Sequence, residues 1–187
     1  MIDAAGTLPS VSTYVVFAAG ADRPGIAAAV TGALFERGAN LADCSMTILA
    51  GQFAMVLLVE MAAGTEAADL EESLAVPAAA FDLVTAVRVV APGRRDATGR
   101  PHVVSVYGAD RPGIVHHVCT ALAALDVNVT DLSTRVLAGD GGPVYAMLLD
   151  ISVPADVDMD AVVARLAALA EEMDVEATVR AADADVF

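Results

Sequence analysis

The chain has 187 residues, 57% of them hydrophobic and 19% charged, and a formal net charge of −15 at pH 7. Because duplex DNA would repel so acidic a chain, this charge argues against direct binding to nucleic acid. The apolar runs have the length of strands, well short of the ~18–20 residues that a membrane-spanning helix needs. No basic segment precedes an apolar one at the N-terminus, so we expect a cytoplasmic protein that does not bind membranes.

The predicted elements begin with a strand at residues 13–19, which are β-branched and aromatic. A polar loop and an amphipathic helix follow. Asp22 is expected to accept backbone N–H bonds at the start of this helix, and Pro24 to lie in its first turn. Gly38 is expected to adopt the left-handed conformation that ends the helix.

A hairpin is predicted next, with strands at residues 41–49 and 53–61. A second helix is expected at residues 66–74, where Pro77 shortens or breaks it. A last strand lies near residues 83–90. The order β-α-β-β-α-β indicates an α+β fold of the ferredoxin-like type, an antiparallel sheet with both helices on one face.

This unit occurs twice. Residues 20–26 recur without change as residues 108–114, an offset of 88 (108 − 20), and an asparagine and an aspartate recur at the same offset. These paired positions are Asn40 with Asn128 and Asp43 with Asp131. We therefore expect a duplicated domain in which the polar loop is the best lead to function.

The second copy predicts the same elements, with Asp126 in the place of Gly38. Its strands are expected at residues 102–107, 129–137, 144–153 and 175–181, and its last helix at residues 159–173. After the hairpin the offset becomes 92, so the second copy has gained four residues in a turn-rich run. We predict a domain at residues 13–91, a linker at 92–100 and a second domain at 101–182.

Cysteine and histidine give no metal or catalytic motif. Cys44 and Cys119 are not at equivalent repeat positions and are expected to be buried free thiols. Adjacent helical residues point about 100° apart, so His116 and His117 cannot share one metal ion, although one of them could reach a ligand cleft. We expect no catalytic residues and no cofactor.

With this order of elements and the sequence Asp-Arg-Pro-Gly-Ile in the loop, each repeat resembles the ACT domain, a small regulatory module that binds amino acids. Two repeats in tandem resemble the glycine cleavage system transcriptional repressor family. The same loop occurs in formyltetrahydrofolate deformylases, whose catalytic domain has no counterpart in this sequence. The motif is specific for the domain and weak for the ligand.

In ACT domains the loop and the start of the second strand line the ligand site, often at an interface between two domains. The resemblance thus implies twelve ligand-binding residues: Asp22, Arg23, Pro24, Gly25, Ile26 and Asn40, and Asp110, Arg111, Pro112, Gly113, Ile114 and Asn128. Helix N-terminal N–H groups favour a carboxylate, glycine permits its close approach, and the aspartate or asparagine oxygens could accept from an ammonium group.

Structural roles explain part of this motif equally well. The aspartate could cap the helix, the proline could fill its first turn, and the asparagine could form a left-handed turn. The arginines Arg23 and Arg111 could pair with Asp43 and Asp131 instead of contacting a ligand.

Three functions remain open from the sequence. The first is a non-catalytic sensor of a small amino acid, glycine or serine before larger ones, that regulates transcription or metabolism through a protein partner. The second is a ligand-free interaction module, and the third a detached regulatory subunit of an amino-acid biosynthetic enzyme. Because exposed sheet edges are usually paired or covered, we also expect the two repeats to pack together and the chain to form a homodimer.

Overall fold

A computed structural model describes residues 11–91, 99–139 and 142–182, without the side chains of residues 139, 142 and 143. These residues fall into two compact units on either side of residues 92–98. We call residues 11–91 unit 1 and residues 99–182 unit 2. Most of the predicted linker lies outside the described residues, and its last residue, Arg100, already belongs to a strand.

Both units have the predicted order of elements. Unit 1 consists of β1 (Val11–Ala21), α1 (Ile26–Glu36), β2 (Asn40–Leu49), β3 (Gln52–Ala62), α2 (Ala67–Phe81) and β4 (Val84–Val89). Unit 2 consists of β5 (Arg100–Gly108), α3 (Ile114–Ala123), β6 (Asn128–Gly139), β7 (Gly142–Val153), α4 (Met159–Met173) and β8 (Val175–Ala181). The sheet orders, β2-β3-β1-β4 and β6-β7-β5-β8, are antiparallel throughout, which confirms the ferredoxin-like α+β fold.

The core of each unit lies between the helices and one face of the sheet. Along β1, Tyr14, Val16 and Ala18 are buried, whereas Phe17 between them is exposed on the other face. This alternation has the period of two that places successive side chains on opposite faces of a strand. The predicted left-handed residues after the first helix of each unit, Gly38 (φ 76°) and Asp126 (φ 59°), are confirmed.

The prediction that Pro77 shortens the second helix was wrong. Helix α2 runs through Pro77 to Phe81 and has 15 residues, the same length as α4. Proline removes one backbone hydrogen bond inside a helix, but Pro77 is buried on the face of α2 that also buries Leu70 and Leu74. Tertiary packing therefore offsets the unfavourable helix propensity of proline, which was the only effect that the sequence prediction considered.

The edge strands β2 and β6 are the most exposed part of each sheet. All ten residues of β2 are exposed, and so is Cys44, which corrects the expectation of a buried thiol; Cys119 is half-buried. Apolar side chains on the helical side of these strands also reach solvent, including Ile48 (51% exposed) and Val136 (57%). Within the described residues no helix is long and apolar enough to cross a membrane.

Candidate functional site

The two repeated loops have the same backbone conformation. Gly25 (φ 98°, ψ −12°) and Gly113 (φ 98°, ψ −7°) are the N-cap residues of α1 and α3. A φ near +98° is costly for any residue with a Cβ, so the backbone itself requires glycine at both positions. In unit 1 the Asp22 amide donates to the Gly51 carbonyl (2.9 Å), which ties the loop to the β2–β3 turn.

Neither aspartate caps its helix, contrary to the prediction. The N-cap residues are Gly25 and Gly113, which have no side chain to accept from the helix N–H groups, and the proline precedes the N-cap instead of lying in the first turn. The first regular helical bonds run from Ala29 to the Gly25 carbonyl and from His117 to the Gly113 carbonyl, both 2.9 Å. The first-turn N–H groups thus have no side-chain acceptor, and such groups attract anions.

Two motif positions have structural roles that are independent of any ligand. Ile26 (1% exposed) and Ile114 (2%) place their side chains in the two cores, so only their main chain is available to a ligand. A Cβ on Gly20 would lie 2.8 Å from Leu83, and one on Gly108 would lie 2.6 Å from Val175. The close approach of the neighbouring strand therefore explains these two glycines.

The motif arginines differ between the units. Arg111 donates to the Asp174 carboxylate (2.7 Å) and to the Met173 carbonyl (3.0 Å), so the suggested pair with Asp131 is not formed. Arg23 is exposed and makes no ion pair within the described residues. Arg111 therefore anchors its loop to the end of α4, while the guanidinium of Arg23 faces solvent.

The asparagines lie far from the loops of their own units. Asn40 is paired with Glu60 at the end of β3, whereas the loop follows Ala21, which is paired with Gln52 at its beginning. Eight residues of strand separate these ends by about 26 Å. The Asn40 Nδ2 also donates to the Glu60 Oε2 (3.1 Å). One ligand held by a single unit can therefore contact the loop or the asparagine, but not both.

Unit 2 has an open pocket of about 390 Å³ at its loop. Asp110, Arg111 and Gly113 line it together with His116 on α3 and Tyr145 on β7. Volumes of roughly 300–1,000 Å³ are typical of small-molecule sites. Sequence reasoning missed Tyr145, although the offset of 92 that relates the hairpins matches it to Phe53.

Burial raises the pKa of Tyr145 above its usual value, and the nearby Asp110 carboxylate raises it further. A hydrogen bond with the Thr134 side chain acts in the opposite direction. Burial disfavours the charged phenolate, so the hydroxyl stays protonated at neutral pH. The pocket therefore contains a neutral hydroxyl, that of Tyr145, together with the Asp110 carboxylate.

The two adjacent histidines of α3 have different surroundings. His116 lines the pocket, whereas His117 lies against the loop, where its Cδ2 atom would be 3.3 Å from a Cβ built on Gly113. Their ring centroids are 5.4 Å apart. Across the described ranges no three His, Cys, Asp or Glu side chains converge to hold a metal ion.

The sequence profile of the ACT domain matches residues 12–88 and 100–180. The glycine cleavage system transcriptional repressor of Escherichia coli is 24% identical over 180 residues, which cover 92% of each chain. A UPF0237 protein of Methanopyrus kandleri is 51% identical over 47 residues, a match to 25% of this chain that spans about half (52%) of that protein.

Two solved structures share the fold over nearly the whole chain. A protein of unknown function from Galdieria sulphuraria is 26% identical and superposes with a TM-score of 0.81, covering 93% of this chain and all of that one (100%). A structure provisionally described as a glycine cleavage system transcriptional repressor is 19% identical, with a TM-score of 0.68 over 91% of this chain and 96% of that one. At 19% identity the second likeness concerns the fold alone.

Proposed function

Since this chain belongs to the ACT-domain family, we propose that it is a non-catalytic sensor of a small amino acid. The observation that carries the proposal is the loop present in both units, which leaves the N–H groups at a helix start without a side-chain cap. These groups and the helix dipole favour the ligand carboxylate. The exposed carboxylates of Asp22 and Asp110 are available to the ammonium group.

Regulation through a protein partner is the second part of the proposal. The Escherichia coli relative, which matches over 92% of its length, is a transcriptional repressor. A net charge of −15 opposes direct contact with DNA phosphates. We therefore propose that the amino acid changes the affinity of this chain for another protein.

We also propose that the chain is a homodimer. The edge strands expose apolar side chains on their helical side, Met46 and Ile48 on β2 and Leu132 and Val136 on β6, and such edges are usually covered. In a dimer, a second copy can supply Asn40 or Asn128 to a ligand bound at a loop, which the distance of about 26 Å within one unit prevents.

The same exposed edges favour one alternative, an interaction module that binds a partner without a ligand. Ligand-induced stabilisation distinguishes the two functions. A regulatory subunit of an amino-acid metabolic enzyme would in addition co-purify with that enzyme.

The test is a thermal-shift screen of the purified chain against the twenty amino acids. A ligand at ~100 times its dissociation constant adds about 2.7 kcal/mol to the free energy of unfolding if it binds only the folded state. We expect glycine or serine to raise the melting temperature by several degrees. A melt that no amino acid shifts would refute the sensor function and leave the interaction module in its place.

A further inference from the structure

The polar groups of the unit 2 pocket have apolar counterparts in unit 1. His116 corresponds to Ala28 at the offset of 88, and Tyr145 corresponds to Phe53 at the offset of 92. Phe53 is 3% exposed and belongs to the core of unit 1. The sheet registers confirm the second pair, because Gly20 faces Phe53 in unit 1 and Gly108 faces Tyr145 in unit 2.

A third difference lies on the edge strand. Thr134 of β6, the hydrogen-bond partner of Tyr145, is paired with Met147, and its counterpart Met46 of β2 is paired with Met55. Unit 1 thus has no hydroxyl at this position. His116 and Tyr145 thus add two hydrogen-bonding side chains to the pocket beside the loop, and Thr134 adds a hydroxyl next to Tyr145.

The space over the loop glycine also differs. A Cβ built on Gly25 would lie 3.5 Å from the Phe81 ring, so an aromatic side chain from the end of α2 lies against the loop of unit 1. In unit 2 the corresponding contact is with the His117 ring. The ring that lies against the loop glycine is therefore apolar in unit 1 and a hydrogen-bonding imidazole in unit 2.

We propose that the two units are not equivalent: unit 2 binds one small amino acid with a hydroxyl side chain, and Tyr145 and His116 determine this specificity. This inference rests on the proposed sensor function and deepens it. The N–H groups at the start of α3 bind the ligand carboxylate, and Asp110 accepts from its ammonium group. Tyr145, held by Thr134, and His116 then face the ligand side chain.

The chemistry of the pocket favours a hydroxyl over a methyl group. A ligand hydroxyl can hydrogen-bond with the Tyr145 hydroxyl and the His116 ring, whereas the methyl group of alanine can bond with neither. Arg111 is committed to Asp174 and Met173 and serves as a positioning residue for the loop. At the corresponding positions unit 1 has Ala28, Met46 and Phe53, so it lacks the imidazole and the hydroxyls that would recognise serine.

Isothermal titration calorimetry of the full chain with L-serine and L-alanine tests the inference. We expect one serine per chain and at least a tenfold weaker affinity for alanine. Tyr145→Phe removes one hydroxyl and is expected to weaken serine binding about tenfold, while leaving alanine binding unchanged. His116→Ala, which introduces the unit 1 residue, is expected to weaken serine binding in the same way.

Tyr107→Phe is the matched control. Tyr107 lies on the exposed face of the same sheet, outside this pocket, and its loss should leave serine binding unchanged. Two serines per chain, or equal serine affinity in wild type and a folded Tyr145→Phe variant, would overturn the inference while the sensor function stands. Absence of binding by all twenty amino acids would overturn both.

Discussion

The two loops of this chain have one backbone and two sets of surroundings. Gly25 and Gly113 share a φ of 98°, and each precedes a helix whose first turn has no side-chain cap. Yet the Phe81 ring lies against the first loop, whereas His117 lies against the second and Tyr145 lines its pocket. Duplication has therefore retained the backbone that can receive a carboxylate, while the side chains that could select a ligand have diverged.

The shared backbone can be tested by Gly25→Val and Gly113→Val. A φ of +98° is strongly unfavourable for a β-branched residue, so each substitution should lower the free energy of unfolding by about 1–3 kcal/mol. Urea denaturation measures the loss. A variant as stable as wild type would show that its loop does not need the left-handed conformation. Because both variants are strained, loss of binding in them is no evidence for ligand contact.

The exposed edges of the two units can be tested together. The double variant Ile48→Lys, Val136→Lys places a charge on the helical side of β2 and of β6. Burying these charges in an interface would be costly. We expect wild type to have the mass of two 19.0 kDa chains in light scattering at tens of micromolar, and the double variant that of one. A dimer that persists in the folded double variant would exclude these edges as the interface.

Substitution of the two motif arginines should change the free energy of unfolding by a smaller amount, and by different amounts in the two units. Arg111→Ala removes the hydrogen bonds to Asp174 and Met173, whereas Arg23→Ala removes no ion pair within the described residues. The Arg111 side chain is partly exposed, so we expect a loss of at most about 1 kcal/mol in the free energy of unfolding, and less for Arg23. Equal losses in denaturant titrations would contradict the difference between the loops.

The smallest effect concerns alkaline pH. The pKa of Tyr145 is raised in the folded state, mainly by burial, and the unfolded value is about 10. Above pH 10 the unfolded chain loses this proton more readily, so stability is lost as pH rises through the folded pKa. The melting temperature of wild type should therefore fall more steeply above pH 10 than that of Tyr145→Phe. Parallel curves would contradict the raised pKa.

The sequence by itself determined the duplication, the order of elements and the fold class. The repeat of residues 20–26 at 108–114 showed the duplication. Local signals, such as the β-branched and aromatic residues 13–19, predicted most strand and helix bounds closely, including Met159–Met173. Local signals also predicted the left-handed residues Gly38 and Asp126. Pro77 was misjudged because its burial in the folded unit is not visible in local signals.

Only the tertiary structure decided which motif residues can act together. The resemblance to ACT domains grouped Asn40 with the loop of Gly25, but the antiparallel register puts Asn40 and the loop at opposite ends of β3. It also brought Tyr145 to the loop of unit 2, where spacing gave no sign of it. Helix and strand periods report the face on which a residue lies, whereas the pairing of strands fixes which end of the sheet it occupies.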